Sequence, residues 1–213
     1  MNNNKGYKVI AIAALILGVL GVSLGYAAFS NTLTISSSAS VKPDSSGFNV
    51  DFSSSSSAVA TSDITPTLNK VVTGFTATDA QIDNTTDPTI SNLSATFTEP
   101  GQSATYTFYA YNAGNYIAYL NSIVFSGSKT CTAKTGTTQS LVDSACNGIE
   151  LSAKVGSESA TTTSVASITS HSLATSTAEE IVVTISYKAD SAIADGDFDV
   201  TLPDIVLTYD SVD

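Results

Sequence analysis

The chain has 213 residues and a formal net charge of -11, from 19 acidic and eight basic side chains, the basic ones all Lys. That balance leaves no basic patch to neutralise phosphates, so it disfavours nucleic acid as a partner, and it disfavours docking on anionic lipid as well. Ser and Thr make up about 30% of the chain, a composition that suits strands and turns, and the length allows one domain with a real core.

Residues 1–8, MNNNKGYK, form a short positive region, and the run from Val9 to Phe29 carries no charge. It ends in GVSLGYAA, where Gly25 and Ala27 suit the -3 and -1 positions of a signal-peptidase site, with cleavage freeing Ala28. The same run is long enough to span a bilayer as a permanent anchor helix. A third reading is a type IV prepilin-like start, cleaved after Gly6 so that Tyr7 comes first; such pilins usually carry Glu at the fifth position, and here it is Ala11. The chain thus divides into three segments: 1–27 as signal peptide or anchor, 28–41 as an N-terminal strand, and 42–213 as a β domain.

From Phe29 to Val41 the odd positions include Phe29, Leu33, Ile35 and Val41, while every even position carries a hydroxyl. That is one long two-faced strand. KPDSSG then turns the chain and FNVDF alternates. SSSSSAVATSD reads as a low-complexity polar connection. TLNKVVTGFTATDAQID reads as a strand bent at Gly74. TISNLSATF alternates from Ile90 to Phe97 and meets a turn centred on Pro100 and Gly101.

SATYTFYAYNAGN alternates again, with Tyr106, Phe108 and Ala110 on one side and Thr105, Thr107, Tyr109 and Tyr111 on the other. YIAYLNSIVFSG is the next strand. TTQSLVDSAC is a helix of about two turns with Thr137 or Thr138 as its cap. GIELSAKVG, TTSVASIT, EEIVVTISYKA and DFDVTLPDIVLTYD complete the strands. A period of two with turn signals every eight to twelve residues predicts an all-β fold, a jelly-roll or Ig-like β-sandwich, preceded by an N-terminal hydrophobic helix. A second hydrophobic core is not expected.

Cys131 and Cys146 are the two cysteines. In an exported protein the pair predicts a disulfide that staples the helix to the exit of the preceding strand. The single His171 lies in the polar stretch ITSHSLATS and reads as a surface residue. No HExxH and no GxSxG is present, and no Ser stands out as a nucleophile, so an enzyme is not expected. Asp195, Asp197 and Asp199 would share one face if their segment is extended, a weak Ca²⁺ candidate without the EF-hand pattern. The plainer reading is a solvated Asp-Gly turn, and no other cofactor is implied. Asn84 and Asn92 sit in glycosylation sequons, which matter only in a host that glycosylates.

Two stretches carry a resemblance. One is the export exit GYAAFSNTLTI; the other is LSATFTEPGQSATYTFYAYNAGN, with Pro100-Gly101, Tyr106, Phe108 and Asn112-Ala113-Gly114. With a late pair of strands they resemble the TasA/camelysin family of exported, fibre-forming biofilm-matrix proteins of Gram-positive bacteria. The resemblance implies a jelly roll, cleavage by a dedicated signal peptidase, and fibres built by donor-strand exchange. The cysteine pair and the shorter chain depart from its best-known members. Metalloprotease activity, described for some camelysins, has no ligand set here.

Donor-strand assembly needs a free strand with one apolar face and an acceptor with unpaired backbone edges. Phe29, Leu33, Ile35 and Val41 are the expected anchors, each worth about 1.5–3 kcal/mol if fully buried. The expected partners are therefore identical subunits, a signal peptidase, and the cell membrane before cleavage. The expected location is the matrix or cell surface of a Gram-positive-type bacterium. The rival reading is a membrane-anchored monomeric β-sandwich, an adhesin or binding module, in which residues 29–41 pair within their own domain.

Overall fold

A computed structural model describes residues 30–35, 47–85, 88–161 and 164–211. The hydrophobic run of residues 9–29 lies outside them, and so do residues 36–41 of the expected first strand. Among the described residues no helix is long and apolar enough to cross a membrane.

The described chain is all-β apart from one short helix. The first strands are β1 (Ser30–Ile35), β2 (Val50–Ser53), β3 (Thr67–Asn69), β4 (Thr76–Ala77), β5 (Gln81–Asp83), β6 (Thr89–Ser91) and β7 (Ala95–Thr96). The longer β8 (Ser103–Asn112) and β9 (Ala118–Ser126) come next, then β10 (Thr130–Ala133) and helix α1 (Gln139–Cys146). The chain closes with β11 (Ile149–Val155), β12 (Glu158–Thr161), β13 (Ser172–Leu173), β14 (Ala178–Tyr187), β15 (Phe198–Thr201) and β16 (Asp204–Asp210).

One sheet has the order β13-β9-β16-β1-β6-β5, and the other β12-β11-β14-β8-β2, with β3 pairing the remaining length of β8. The registers are antiparallel except for β1 with β6, which run parallel. Two small ribbons, β4-β7 and β10-β15, stand beside the sheets.

Alternation builds the core as the sequence expects. On β8, Ala104, Tyr106, Phe108 and Ala110 are buried while Thr105, Thr107, Tyr109 and Tyr111 are not. Their buried faces join Phe52, Ile181, Val183 and Ile185 of the same sheet to Leu120, Ile123, Ile205, Leu207 and Tyr209 of the other in a single cluster. Phe52 and Phe108 meet edge to face with centroids 5.6 Å apart, a geometry that adds to simple burial. A satellite cluster of Ala145, Ile149 and Tyr187 sits under α1 and shares Phe97 and Leu202 with the main core. The sequence does not announce it, and it exists because the helix must cover apolar surface at the β10-β15 ribbon.

Local breaks are sharper than the sequence suggests. The segment bent at Gly74 divides into β3, β4 and β5, with Lys70 at φ 58 and Gly74 at φ 92. TISNLSATF divides at Asn92, where φ is 63, into β6 and β7. Left-handed backbone cannot continue a ladder, so each reversal ends a strand. Of the stretch TTSVASIT, the described residues 164–169 form no strand: Val165 makes an isolated bridge to Ile123. Next to that bridge, the Phe125 N–H donates to the Ser164 hydroxyl at 2.8 Å, so a side chain accepts where a ladder carbonyl would.

Candidate functional site: the seat of the first strand

β1 is an internal strand, held between the last strand of the chain and a short central one. All six of its residues pair with β16, from Ser30 opposite Asp210 to Ile35 opposite Ile205. Its far end also pairs with β6, Thr34 with Thr89 and Ile35 with Ile90. Of the expected anchors, Leu33 is thus in register with Leu207, and Ile35 with Ile205 and Ile90. Leu207, Ile205 and Ile90 are all buried. Phe29, Val41 and the cleavage residues Gly25, Ala27 and Ala28 lie outside the described residues. Within the single chain the pairing is in cis.

The seat has a polar floor that sequence reasoning missed. Tyr209, in register with Asn31, is fully buried. Its hydroxyl donates to Glu179 Oε1 at 2.6 Å. Glu179 Oε2 lies 2.5 Å from His171 Nε2, and His171 Nδ1 lies 3.6 Å from Glu158 Oε1. Burial, then the Glu179 charge and its hydrogen bond, hold the Tyr209 hydroxyl pKa well above the ordinary range. This row crosses from β16 to β14, so it ties one sheet to the other. His171 is therefore not a surface residue: its side chain is 13% exposed. Gly156, at φ 54, makes room for it, since a Cβ there would lie 2.9 Å from Glu179 Oε2 and 3.0 Å from His171 Cε1. Nothing in the polar stretch ITSHSLATS signals this burial, because the carboxylates that meet His171 come from β12 and β14.

At the first residue of β1 the edge is charged. Asp210 faces Ser30 on one side and Tyr119 on the other. Its Oδ2 accepts a short hydrogen bond from Asn121 Nδ2. Asn121 is the extra residue of a bulge: Leu120 pairs with Tyr209 and Ser122 with Thr208. Oδ1 of Asp210 is buried and has no hydrogen-bond partner among the described residues. Burial pushes this carboxyl up, and the Asn121 bond opposes it.

The other expected sites resolve into structural roles. Cys131 and Cys146 form a disulfide with Cα atoms 6.0 Å apart, joining β10 to the end of α1 as expected. Lys129 Nζ reinforces the joint by donating to the Cys146 carbonyl at 2.5 Å and to the Ile149 carbonyl. Thr138 is at the helix N-cap position, but its hydroxyl makes no cap bond. It donates instead to Asp195 Oδ2 at 2.6 Å, and the Thr138 N–H donates to Asp195 Oδ1 at 2.9 Å.

The Asp195, Asp197 and Asp199 segment is not extended throughout, since Asp195 and Gly196 form a bend and β15 begins at Phe198. Asp199 pairs with Lys134 at 2.9 Å, and Asp197 offers its carbonyl to the Thr137 hydroxyl at 2.9 Å. The three positions fasten the loop ahead of α1 to β15. Among the described residues no group of three or more His, Cys, Asp or Glu side chains is arranged to hold a metal ion. The Asn84 amide donates to the Phe52 carbonyl at 2.7 Å and its oxygen accepts the Phe52 N–H at 3.2 Å, so this sequon residue pins β2.

Compared with known proteins, the chain matches no family model, no curated protein and no solved structure.

Proposed function

We propose that the chain is an exported structural subunit of the cell surface or extracellular matrix, which assembles into fibres by donor-strand exchange. The observation that supports this most is the position of β1. It precedes the rest of the domain, it sits inside a sheet, and residues 36–49 separate it from β2 along the chain. Withdrawn, it leaves the edges of β16 and β6 unpaired, and an identical strand from a neighbour restores the same bonds. Such an exchange is nearly neutral in contacts, because each subunit gives and receives one strand.

In this reading the two sheets form a jelly-roll-type sandwich, cleavage after Ala27 frees the strand, and the chain is not an enzyme. The resemblance to the TasA/camelysin family points the same way. Negative-stain microscopy of a chain lacking residues 28–41 tests it: filaments are expected from the full mature chain only, and filaments without that strand sink the proposal.

The cis pairing of β1 favours a second reading, a membrane-anchored monomeric surface adhesin or binding module. Mass spectrometry of the exported protein separates the two. A start at Ala28 supports the fibre subunit, and an intact Met1 supports the anchored monomer.

A further inference from the structure

Three turns meet at the end of the two sheets where β1 begins. Ser30 is in register with Asp210, and Asp210 with Tyr119, so the residues ahead of β9 lie at the same end as the start of β1. Those residues, 113–117, join β8 of one sheet to β9 of the other. The β13-β14 turn lies beside them: the Asn112 N–H donates to the Thr177 carbonyl and the Ser176 N–H to the Asn112 carbonyl, both at 2.9 Å. The stretch ahead of β2 is the third, where the N–H groups of Gly114 and Asn115 donate to the carbonyls of Asn49 at 3.0 Å and Gly47 at 2.7 Å. The platform held by these bonds carries two large exposed side chains, Tyr116 at 54% and Ile117 at 47%.

Charge sets this end apart from the other. None of residues 47–50, 112–118 and 172–178 is charged, in a chain whose net charge is -11. Asp210, at the rim, has Oδ1 buried and Oδ2 bonded to Asn121, and Asp51 is held by the Asn49 amide at 2.9 Å. The opposite end, where the Gly101 N–H donates to the Tyr187 carbonyl at 2.6 Å, carries Lys70, Glu99 and Lys188. An acidic domain is repelled by an anionic bilayer, and its uncharged end is the one that can approach. Tyr suits that contact, since its ring settles at the headgroup level with the hydroxyl in water. In the sequence the uncharged run closes at Phe29, one residue before β1, so no linker holds the domain off a surface that the run enters. We propose that this end of the domain is a lipid-facing surface, with Tyr116 and Ile117 entering the headgroup region of the bilayer that holds the run. Both readings given above keep residues 9–29 in a membrane, before cleavage in a fibre subunit or throughout in an anchored monomer, and the contact rests on that. In the fibre subunit, cleavage releases this turn together with β1.

The chain has no Trp, so Tyr116→Trp supplies a single fluorescent reporter. Val72→Trp is the control, at an exposed position near Lys70 in the chain. Both sites are exposed, so neither variant is expected to unfold the domain. Each full-length, uncleaved chain is reconstituted into phosphatidylcholine vesicles with and without brominated acyl chains, and flotation shows whether the vesicles hold it. Interfacial groups sit about 5–10 Å into the headgroup and acyl boundary, so brominated lipid is expected to remove about half of the Tyr116→Trp emission and little of the Val72→Trp emission. Adding Ile117→Asp to the Tyr116→Trp chain is expected to reduce that loss. Equal quenching at the two positions in a chain that floats overturns the inference and leaves the membrane reading standing. So does a blue shift of the Tyr116→Trp emission without quenching, which puts a second copy of the chain over the turn. A chain that does not float overturns the membrane reading, and the inference with it.

Discussion

The Tyr209 hydroxyl donates to Glu179 Oε1 at 2.6 Å across the interior, from the strand that pairs with β1 to the opposite sheet. Tyr209→Phe removes that donor and leaves a carboxylate that is itself nearly buried with one fewer partner. The expected cost is about 1–3 kcal/mol, read by denaturant unfolding. Tyr109→Phe, on the outward side of β8, is the control and is expected to be near neutral. Equal effects at the two positions would show that the floor of the seat contributes nothing beyond ring burial.

The disulfide closes a loop with a sequence separation of 15. Constraining a loop of that size in the unfolded chain stabilises by about 3 kcal/mol. Replacing both cysteines by Ser is expected to lower the melting temperature by about 6–12 °C. The loss should be confined to α1 and the β10-β15 ribbon in hydrogen exchange, with β8 and β14 still protected. Loss of protection throughout would mean that the satellite cluster is part of one cooperative unit.

Gly114 explains the Asn-x-Gly turn. A Cβ there would lie 2.6 Å from the Asn49 backbone N and 2.8 Å from the Gly47 carbonyl, both backbone atoms that cannot swing aside. Asn112 is fully buried. Its Oδ1 accepts the Gly114 N–H at 3.0 Å, while its Nδ2 donates to the carbonyls of Tyr116 at 2.8 Å and Leu173 at 3.0 Å. Gly114→Ala is expected to cost more than 1–3 kcal/mol, roughly the range for overpacking, because backbone must move. Gly127→Ala, where a Cβ meets nothing within 4 Å but φ is 96, is expected to cost less. Thermal unfolding of the two variants checks the order.

Two carboxylates shift in opposite directions and give opposite pH dependence. Burial raises Asp51, so its contribution to stability is fully present below its unfolded pKa and is lost as pH rises through its folded one. The side-chain and backbone bonds from Thr138 lower Asp195. Its contribution is present above the unfolded pKa and is lost as pH falls through the folded one. Asp51→Asn is expected to flatten the fall in melting temperature above the ordinary carboxylate range, and Thr138→Val the fall below it. A melting profile between pH 2 and 7 for each variant provides the check.

Much of the fold was legible because long strands with one buried face obey a strict period of two. β8, β9 and β14 read directly, as do α1 and the cysteine pair, whereas DFDVTLPDIVLTYD, read as one strand, breaks at Leu202 and Pro203 into β15 and β16 of different sheets. The short strands did not, because single left-handed residues such as Lys70 and Asn92 interrupt alternation without a change of composition. TTSVASIT alternates for another reason: Val165 and Ile168 pack on the core from a loop that runs beside β9. At the candidate site the sequence marked β1 and placed Leu33 and Ile35 in its pattern. It read His171 as a surface residue and missed Glu179 and Tyr209, because Tyr209 reaches Glu179 from 30 residues away and no local pattern marks any of the three. The partners of Asp195 and Asp199 were not legible either, since Thr138 and Lys134 come from about 60 residues earlier in the chain.

The pairing of β1 with β16 also governs timing. Synthesis from the N-terminus makes β1 before the rest of the described domain, yet its full-length partner β16 follows about 170 residues later, a separation that slows closure. Until then the strand has no permanent place. It waits without its long-range partner, and that interval grows with every pause in synthesis.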